Sequence, residues 1–210
     1  MKVEMHSDAT VFVVDDDPAI LRLISELVTS FGLKIQSWTS AEQFLSEYRP
    51  TRPGCLILDV SMPGMSGLQL QSMLPAAGIS LPVIMVTGYG DVRMAVDAIR
   101  AGACHFLEKP LRMHELWESI QEAIRRDEKK WLERQKHEAN SQRLASLTPA
   151  ERQVFDRLLT GKTNKMIAKE LGLSVRTVEE RRGKLIKKLG IQTRAALVEF
   201  AAILAEPRAE

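Results

Sequence analysis

Short apolar runs alternate with amphipathic segments along the first 125 residues of the chain. The runs have the length of buried strands, and the segments between them carry apolar residues at helical spacing. Strands joined by helices of this length need crossover connections, so we expect an α/β fold with a doubly wound, five-stranded parallel sheet. The predicted strands are residues 10–14, 33–37, 55–58, 82–86 and 103–107, and the predicted helices are residues 18–30, 40–48, 66–74, 91–101 and 112 onward.

The third predicted strand leads directly into a carboxylate. Four apolar residues precede Asp59, and Pro63-Gly64 then prevents both helix and strand from continuing. Taken alone, Asp59 is more readily explained as a turn or helix-capping residue. Sheets of this kind, however, place their sites at the carboxyl ends of the strands. The residues at those ends are Asp15, Asp16, Asp17, Asp59, Thr87, Glu108 and Lys109.

Acidic, hydroxyl and ammonium groups at one sheet edge favour phosphoryl chemistry. Clustered carboxylates repel one another unless a cation neutralises them, and hard oxygen ligands with few protein contacts suit Mg²⁺. A metal, a lysine and a hydroxyl can then share the oxygens of a transferring phosphoryl group. A carboxylate that attacks the phosphorus gives an aspartyl phosphate.

Four motifs at this edge resemble the signature set of a two-component response-regulator receiver domain with a flavodoxin-like fold. The resemblance covers residues 8–125, and the motifs occur in the same order and at matching spacing. They are residues 13–17 (VVDDD), 58–64 (LDVSMPG), 86–91 (VTGYGD) and 106–110 (FLEKP).

The resemblance implies a role for each of these residues. Asp59 is the expected phosphoacceptor, Thr87 and Lys109 contact the phosphoryl group, and Lys109-Pro110 is joined by a cis peptide bond. Thr87 and Phe106 form the switch pair, although many relatives carry tyrosine where Phe106 stands, and phenylalanine has no hydroxyl to donate. The expected Mg²⁺ site consists of Asp15, Asp16, Asp59 and the Ser61 carbonyl.

Residues 126–145 change character and are predicted to form a helical linker. The stretch from 127 to 141 is almost entirely charged or polar apart from Trp131-Leu132. It either continues the preceding helix or frays. Coiled-coil pairing is disfavoured because its apolar positions are too few.

The chain after the linker has the pattern of a small all-α helix-turn-helix domain. Thr148, Pro149 and Glu151 combine an N-cap, a first-turn proline and a capping-box acid. A second helix follows from Thr163, and Ser174 caps a third, longer helix, which is the order of a helix-turn-helix. On the third helix the apolar positions are Val175, Val178, Leu185 and Leu189, and the opposite face carries Arg176, Thr177, Glu180, Gly183, Lys184 and Lys187.

Residues 146–204 resemble the LuxR-type DNA-binding domain, which we expect to span residues 146–206. The resemblance rests on residues 147–152 (LTPAER), 163–168 (TNKMIA) and 174–179 (SVRTVE). Combined with the receiver motifs, it resembles the FixJ-like branch of the NarL/FixJ family. The expected DNA contacts are Lys165, Arg176, Thr177, Glu180, Arg181, Gly183, Lys184 and Lys187.

Three positions in this domain qualify the resemblance. Relatives often carry a basic residue at Glu179 and an apolar one at Glu180, and an acid near phosphates weakens binding unless it accepts from a cytosine amine. Gly183 costs about 1 kcal/mol of helix stability relative to alanine, and it also permits close approach to a duplex. The angular count places Arg182 on the Val178 side, toward the core.

The distribution of charge supports a polyanionic partner for the C-terminal part. Residues 1–147 carry 16 basic and 19 acidic side chains, whereas residues 148–210 carry 13 basic and 8 acidic ones. Cys55 and Cys104 lie in apolar runs without metal-ligand spacing, so we assign them no chemistry. No apolar run approaches the ~20 residues of a membrane span, and we expect a soluble, cytoplasmic protein without a membrane partner.

These observations predict a phosphorylation-dependent transcription regulator. By the resemblance, we expect a sensor histidine kinase to donate a phosphoryl group to Asp59, and we expect phosphorylation to promote homodimerisation and promoter binding. We expect no enzyme activity beyond Mg²⁺-dependent phosphorylation and dephosphorylation at Asp59 itself. One alternative is a haloacid-dehalogenase-like phosphohydrolase, because Asp15-x-Asp17 also resembles that nucleophile pair. Another is a protein-interaction module that does not bind DNA.

Overall fold

The computed structural model describes residues 9–49, 53–88 and 92–205. The chain divides into two compact units, the first ending at Trp131 and the second starting at Leu132. Within the described residues, no helix is long and apolar enough to cross a membrane.

The first unit is built on the predicted parallel sheet. Its five strands pair in the order β2-β1-β3-β4-β5, and every pairing is parallel. The prediction of a five-stranded, doubly wound sheet is therefore confirmed. The strands are β1 Thr10–Val14, β2 Lys34–Trp38, β3 Gly54–Asp59, β4 Val83–Thr87 and β5 His105–Glu108.

Several strand ends differ from the prediction by one or two residues. Asp59 pairs with Val86 and Thr87 pairs with Glu108, so Asp59 and Thr87 are the last residues of their strands rather than the first residues of loops. Strand β5 starts later than predicted because the Ala103 amide donates to the Ala98 carbonyl and closes the preceding helix instead.

In the described part of the first unit, five helices follow the strands, and Asp17, Ser40 and Ser66 cap the first three of them. Asp17 caps α1 by accepting from the Ala19 amide at 2.8 Å, and Ser66 forms a reciprocal capping box at α3. The proposed start of α4 at Asp91, with Tyr89 and Gly90, lies outside the described residues. The helices are α1 Pro18–Ser30, α2 Ala41–Glu47, α3 Gly67–Met73, α4 Val92–Arg100 and α5 Met113–Ala145, so residues 126–145 belong to α5.

Successive strand residues face opposite sides of the sheet, and each side is covered by helices. Phe12 and Leu58 pack with α2, α3 and α4, whereas Val13 and Ile57 pack with α1 and α5. The first side is richly aromatic, with Phe12, Trp38, Phe44 and Tyr48 in mutual contact.

The described part of the second unit is all-α, and its helices begin where the capping residues predict. Thr148 and Glu151 form a reciprocal capping box at α6, and Thr163 and Ser174 cap α7 and α8. Val154, Ile167 and Val178 belong to one buried core. The helices are α6 Pro149–Leu159, α7 Asn164–Leu171, α8 Val175–Leu189 and α9 Arg194–Ala205.

Helix α3 starts against the backbone of Asp59. The Gly67 amide donates to the Val60 carbonyl at 3.0 Å, and a Cβ at Gly67 would overlap the carbonyl oxygen of Asp59. Only glycine fits here without moving either α3 or the end of β3, because the obstacle is backbone.

We predict that Gly67→Ala destabilises the first unit by about 1–3 kcal/mol, the usual cost of forcing backbone apart in a packed region. Thermal unfolding of the full chain provides the measurement. Gly88→Ala is the matched control, since a Cβ at Gly88 would meet nothing within 4 Å. Equal unfolding temperatures for the two variants would contradict the close approach.

Candidate functional sites

Lys109 joins two buried carboxylates at the carboxyl edge of the sheet. Its Nζ lies 2.8 Å from Asp15 Oδ2 and 2.7 Å from Asp59 Oδ1, and both acidic side chains are only 3% exposed. Asp15 follows β1, Asp59 ends β3 and Lys109 follows β5, so three strands supply the three groups. The predicted convergence of these residues is thus observed.

The remaining oxygen of each carboxylate accepts from the backbone. The Asp17 amide donates to Asp15 Oδ1 at 2.9 Å, and the Ser61 amide donates to Asp59 Oδ2 at 2.8 Å. Each carboxylate therefore has a fixed orientation, held on one side by the chain just after it and on the other by Lys109. Such charge-assisted contacts offset part of the cost of burying the two acids.

Burial and pairing oppose each other in setting the protonation of this cluster. Burial raises the pKa of Asp59 above its ordinary value, and the neighbouring Lys109 opposes that rise without cancelling it. Burial also acts to lower the pKa of Lys109, but hydrogen bonds and charge from Asp15 and Asp59 outweigh it, so the Lys109 pKa is raised. Lys109 is therefore held as a cation.

The other predicted residues lie around this cluster. Thr87 is fully buried at the end of β4, and its carbonyl accepts from the Lys109 amide at 2.7 Å. Phe106 is partly buried against the aromatic side of the sheet, whereas Asp16 and Ser61 are exposed. The Lys109-Pro110 peptide bond is cis, as predicted.

The donor set suits Mg²⁺ in its chemistry, because carboxylate and carbonyl oxygens are hard ligands. Among the residues that the structure describes, however, no three acidic, histidine or cysteine side chains lie close enough to hold a metal ion. Asp15 and Asp59 meet at Lys109 instead. Coordination as predicted therefore requires Asp16 to join Asp59.

Glu42 supports the loop at the carboxyl edge of the sheet, a role that the sequence did not indicate. Its Oε1 accepts from the Met65 amide at 3.1 Å and so holds the loop that follows Asp59. A hydrogen bond from its own backbone amide is the largest cause that lowers the pKa of the exposed Glu42 carboxyl, and the bond from the Met65 amide lowers it further. The two residues are 23 positions apart, and no local pattern connects them.

The second candidate site is the solvent-facing side of α8. Arg176 and Glu180 form an ion pair at 3.2 Å with side chains 90% and 60% exposed, and Lys184 and Lys187 are exposed beyond them. Gly183 is open on this side, since a Cβ there would meet nothing within 4 Å. The face is therefore mostly basic and free of bulk at its centre.

Three other predicted DNA contacts lie in different surroundings from the exposed residues above. Thr177 is half-buried, and its hydroxyl lies 2.8 Å from the Ser174 hydroxyl within the helix cap. Arg181 is also half-buried. Lys165 is exposed and lines a cavity of about 550 Å³ between the start of α7, α8 and the start of α9.

Arg182 does not serve the core as the angular count indicated. It is exposed, and its Nη1 donates to Asn164 Oδ1 at 3.1 Å. The contact joins α8 to the first turn of α7. Because it is made by a long, exposed side chain, it orients the two helices at their surface rather than filling the interior.

Lys188 anchors the other end of α8. Its Nζ donates to Glu151 Oε2 at 2.6 Å and to the Ser146 carbonyl at 3.1 Å. The hydrogen bond from Lys188 is the largest cause of the lowered pKa of Glu151, followed by that from the Thr148 amide. The capping acid of α6 thus also fixes α8, a link between residues 37 positions apart.

Both parts of the chain match known families. Residues 11–121 match the response regulator receiver domain, and residues 145–201 match the bacterial regulatory proteins of the luxR family. The chain belongs to the NarL/FixJ family of two-component response regulators.

Relatives of this response regulator align along nearly its whole length. Nodulation protein W of Bradyrhizobium diazoefficiens is 39% identical over 96% of this chain and 88% of its own. The transcriptional regulatory protein FixJ of Azorhizobium caulinodans is 38% identical over 94% of this chain and 93% of its own. The solved structure of the response regulator StyR superposes with a TM-score of 0.86 at 36% identity, covering 93% of this chain and 98% of that one.

The response regulator is therefore a transcription regulator controlled by phosphorylation, with a receiver domain and a LuxR-type DNA-binding domain. Its relatives are regulators rather than enzymes, which argues against the phosphohydrolase alternative. The position of Asp17 also argues against that alternative, because its carboxylate caps α1. The match to the luxR family likewise argues against an interaction module that does not bind DNA.

We predict that Lys188→Met lowers the stability of the second unit by about 1 kcal/mol at neutral pH, since a charge-assisted contact of a partly exposed lysine is lost. The pKa of Glu151 is lowered in the folded state, so its contribution is present above the ordinary glutamate pKa of about 4.3 and is lost as pH falls through the lowered value.

The difference in unfolding free energy between wild type and Lys188→Met should consequently be largest near neutral pH and should disappear in acid. Unfolding followed at a series of pH values measures it. Lys187→Met, which changes the exposed neighbour, is the control and should show no such pH-dependent gap. A gap that is constant with pH would contradict the role given to Glu151.

Proposed function

We propose that Asp59 accepts the phosphoryl group from a sensor histidine kinase. The observation that carries this proposal is the Lys109 ammonium 2.7 Å from Asp59 Oδ1, at the carboxyl edge of the sheet. An ammonium in this position faces the charge that develops on a phosphoryl group attached to Asp59.

The transfer forms one bond and breaks one. A carboxylate oxygen of Asp59 attacks the phosphorus of the kinase phosphohistidine, and the bond from phosphorus to the imidazole nitrogen breaks, with the nitrogen keeping the electron pair. Lys109 and the Thr87 hydroxyl donate to the equatorial oxygens of the group. Positioning and charge neutralisation therefore supply most of the catalysis, as is usual in phosphoryl transfer.

Asp15, Asp16, Asp59 and the Ser61 carbonyl are the residues proposed to hold Mg²⁺. When bound, the ion neutralises negative charge on the transferring oxygens. Asp15 keeps Lys109 close to the reacting carboxylate through its 2.8 Å contact. The Ser61 amide orients Asp59, and the Ser61 carbonyl lies on the same loop.

Phosphorylation acts on the switch residues by adding charge. A phosphoryl group brings about −1.5 to −2 charges and new hydrogen-bond acceptors, which draw Thr87 and Lys109 inward. The space that Thr87 leaves is available to Phe106 on the neighbouring strand. This change reaches α4, whose Val92, Val96 and Ile99 side chains are 81%, 41% and 48% exposed.

The active form is proposed to be a homodimer that binds promoter DNA. The exposed apolar residues of α4 provide a surface for a second copy. Two linked basic domains then bind paired half-sites more tightly than either alone. Helix α8 enters the major groove, and the proposed contacts are Lys165, Arg176, Thr177, Glu180, Arg181, Gly183, Lys184 and Lys187.

We assign these roles to three segments of the chain. Residues 8–125 act as the receiver, residues 126–145 as the linker and residues 146–206 as the DNA-binding domain. The basic excess of the last segment is the electrostatic basis for binding a duplex.

We predict that Asp59→Asn abolishes acid-labile phosphate incorporation from acetyl phosphate in the presence of Mg²⁺, because an amide oxygen cannot form the acyl phosphate. Labelling with radioactive acetyl phosphate is the measurement. Asp17→Asn is the control; asparagine also caps helices, and labelling should persist. Undiminished labelling of Asp59→Asn would refute the assignment.

A further inference from the structure

Gln71 is a buried polar residue that links two helices of the first unit. It lies in α3 with 4% of its surface exposed, and its Nε2 donates to the Ala98 carbonyl of α4 at 3.0 Å. The donor and acceptor are 27 positions apart and both are buried. The direction of the bond fixes the orientation of the side-chain amide, because a carbonyl can only accept.

Ala98 is the point at which α4 is fastened. Within Val92–Arg100 it is the one buried residue, whereas Val92, Val96 and Ile99 are exposed. Its carbonyl belongs to the last turn, where helix carbonyls lack an intrahelical partner. It accepts from the Ala103 amide at 3.0 Å as well as from Gln71.

Gln71 pairs one of its two polar side-chain atoms and leaves the other without a partner among the described residues. Among the residues that the structure describes, none donates a hydrogen bond to the buried Oε1 of Gln71. A buried polar atom without a partner destabilises the fold, and an apolar side chain of similar volume would avoid that cost. The surrounding positions Leu70 and Leu74 are apolar.

Gln71 also lies on the same side of α3 as Gly67, one helical turn away. Gly67 packs against the carbonyl of Asp59 so closely that no Cβ fits. A displacement of the Asp59 backbone therefore presses on the first turn of α3. Gln71, whose side-chain amide holds α4, lies in the next turn of the same helix.

We infer that Gln71 is a positioning residue that couples Asp59 to α4 through helix α3. The route runs from the Asp59 carbonyl through Gly67 and α3 to the Gln71 amide and the Ala98 carbonyl. It is separate from the Thr87 and Phe106 switch, and it rests on the proposed function only in taking Asp59 as the phosphoacceptor.

Gln71→Met tests this inference, because methionine keeps the length of the side chain and removes the donor. Hydrogen exchange of the α4 amides should become roughly 2- to 12-fold faster, the range expected for losing one net hydrogen bond. Leu70→Met is the matched control, a volume-conserving change in the same helix, and should leave α4 exchange at the wild-type rate. Gln71→Leu replaces Gln71→Met if the latter does not fold.

The second readout is DNA affinity, measured on a duplex selected from random sequence by the phosphorylated wild type. Gln71→Met should be labelled at Asp59 normally, yet gain several-fold less affinity on phosphorylation. Wild-type exchange in α4, or faster exchange with an undiminished gain, would overturn the inference. If the wild type itself is not labelled, the proposed function is refuted instead. The exchange result would still report on the Gln71 contact.

Discussion

The ammonium of Lys109 between Asp15 and Asp59 is the interaction on which the first unit's site depends. Two buried carboxylates at one sheet edge repel each other, and a single cation 2.8 Å and 2.7 Å from them relieves that repulsion. Burial still leaves the Asp59 pKa raised. In the resting site, Lys109 thus offsets the repulsion between the two carboxylates. A phosphoryl group on Asp59 adds about −1.5 to −2 charges beside the same ammonium, so the contacts of Lys109 must change.

Backbone pairing transmits that change in contacts to the strands of the sheet. Asp59 pairs with Val86, and the Thr87 carbonyl accepts from the Lys109 amide, so the reacting groups are tied directly to strands β3, β4 and β5. Helix α4 is fastened more lightly, with Ala98 as its one buried residue within Val92–Arg100. Elements with few buried contacts have low local stability, so a small change at the sheet edge is expressed most readily there.

The sequence predicted most of the elements because hydrophobic spacing and capping are local. Thr148 and Glu151, for example, form the capping box that their spacing indicated. Strand ends differ from the prediction by one or two residues because pairing depends on the neighbouring strand, as the pairing of Thr87 with Glu108 illustrates. The motifs brought Asp15, Asp59 and Lys109 together, but the orientation of each oxygen depends on tertiary contacts.

The residues that sequence reasoning missed share that dependence. Glu42, Gln71 and Lys188 act on groups 23, 27 and 37 positions away, and each looks like an ordinary helix residue in its own segment. Arg182 was misplaced for a related reason, since an angular count places a side chain on a face but does not reveal that Asn164 captures its guanidinium at the surface.

The most direct test of coupling between Asp59 and DNA binding is the affinity of the full chain for a selected duplex before and after treatment with acetyl phosphate and Mg²⁺. We expect an increase for the wild type within the roughly 5- to 150-fold range typical of coupled sites, and no increase for Asp59→Asn. Equal affinity of the wild type in the two states, or an equal increase in Asp59→Asn, would contradict it.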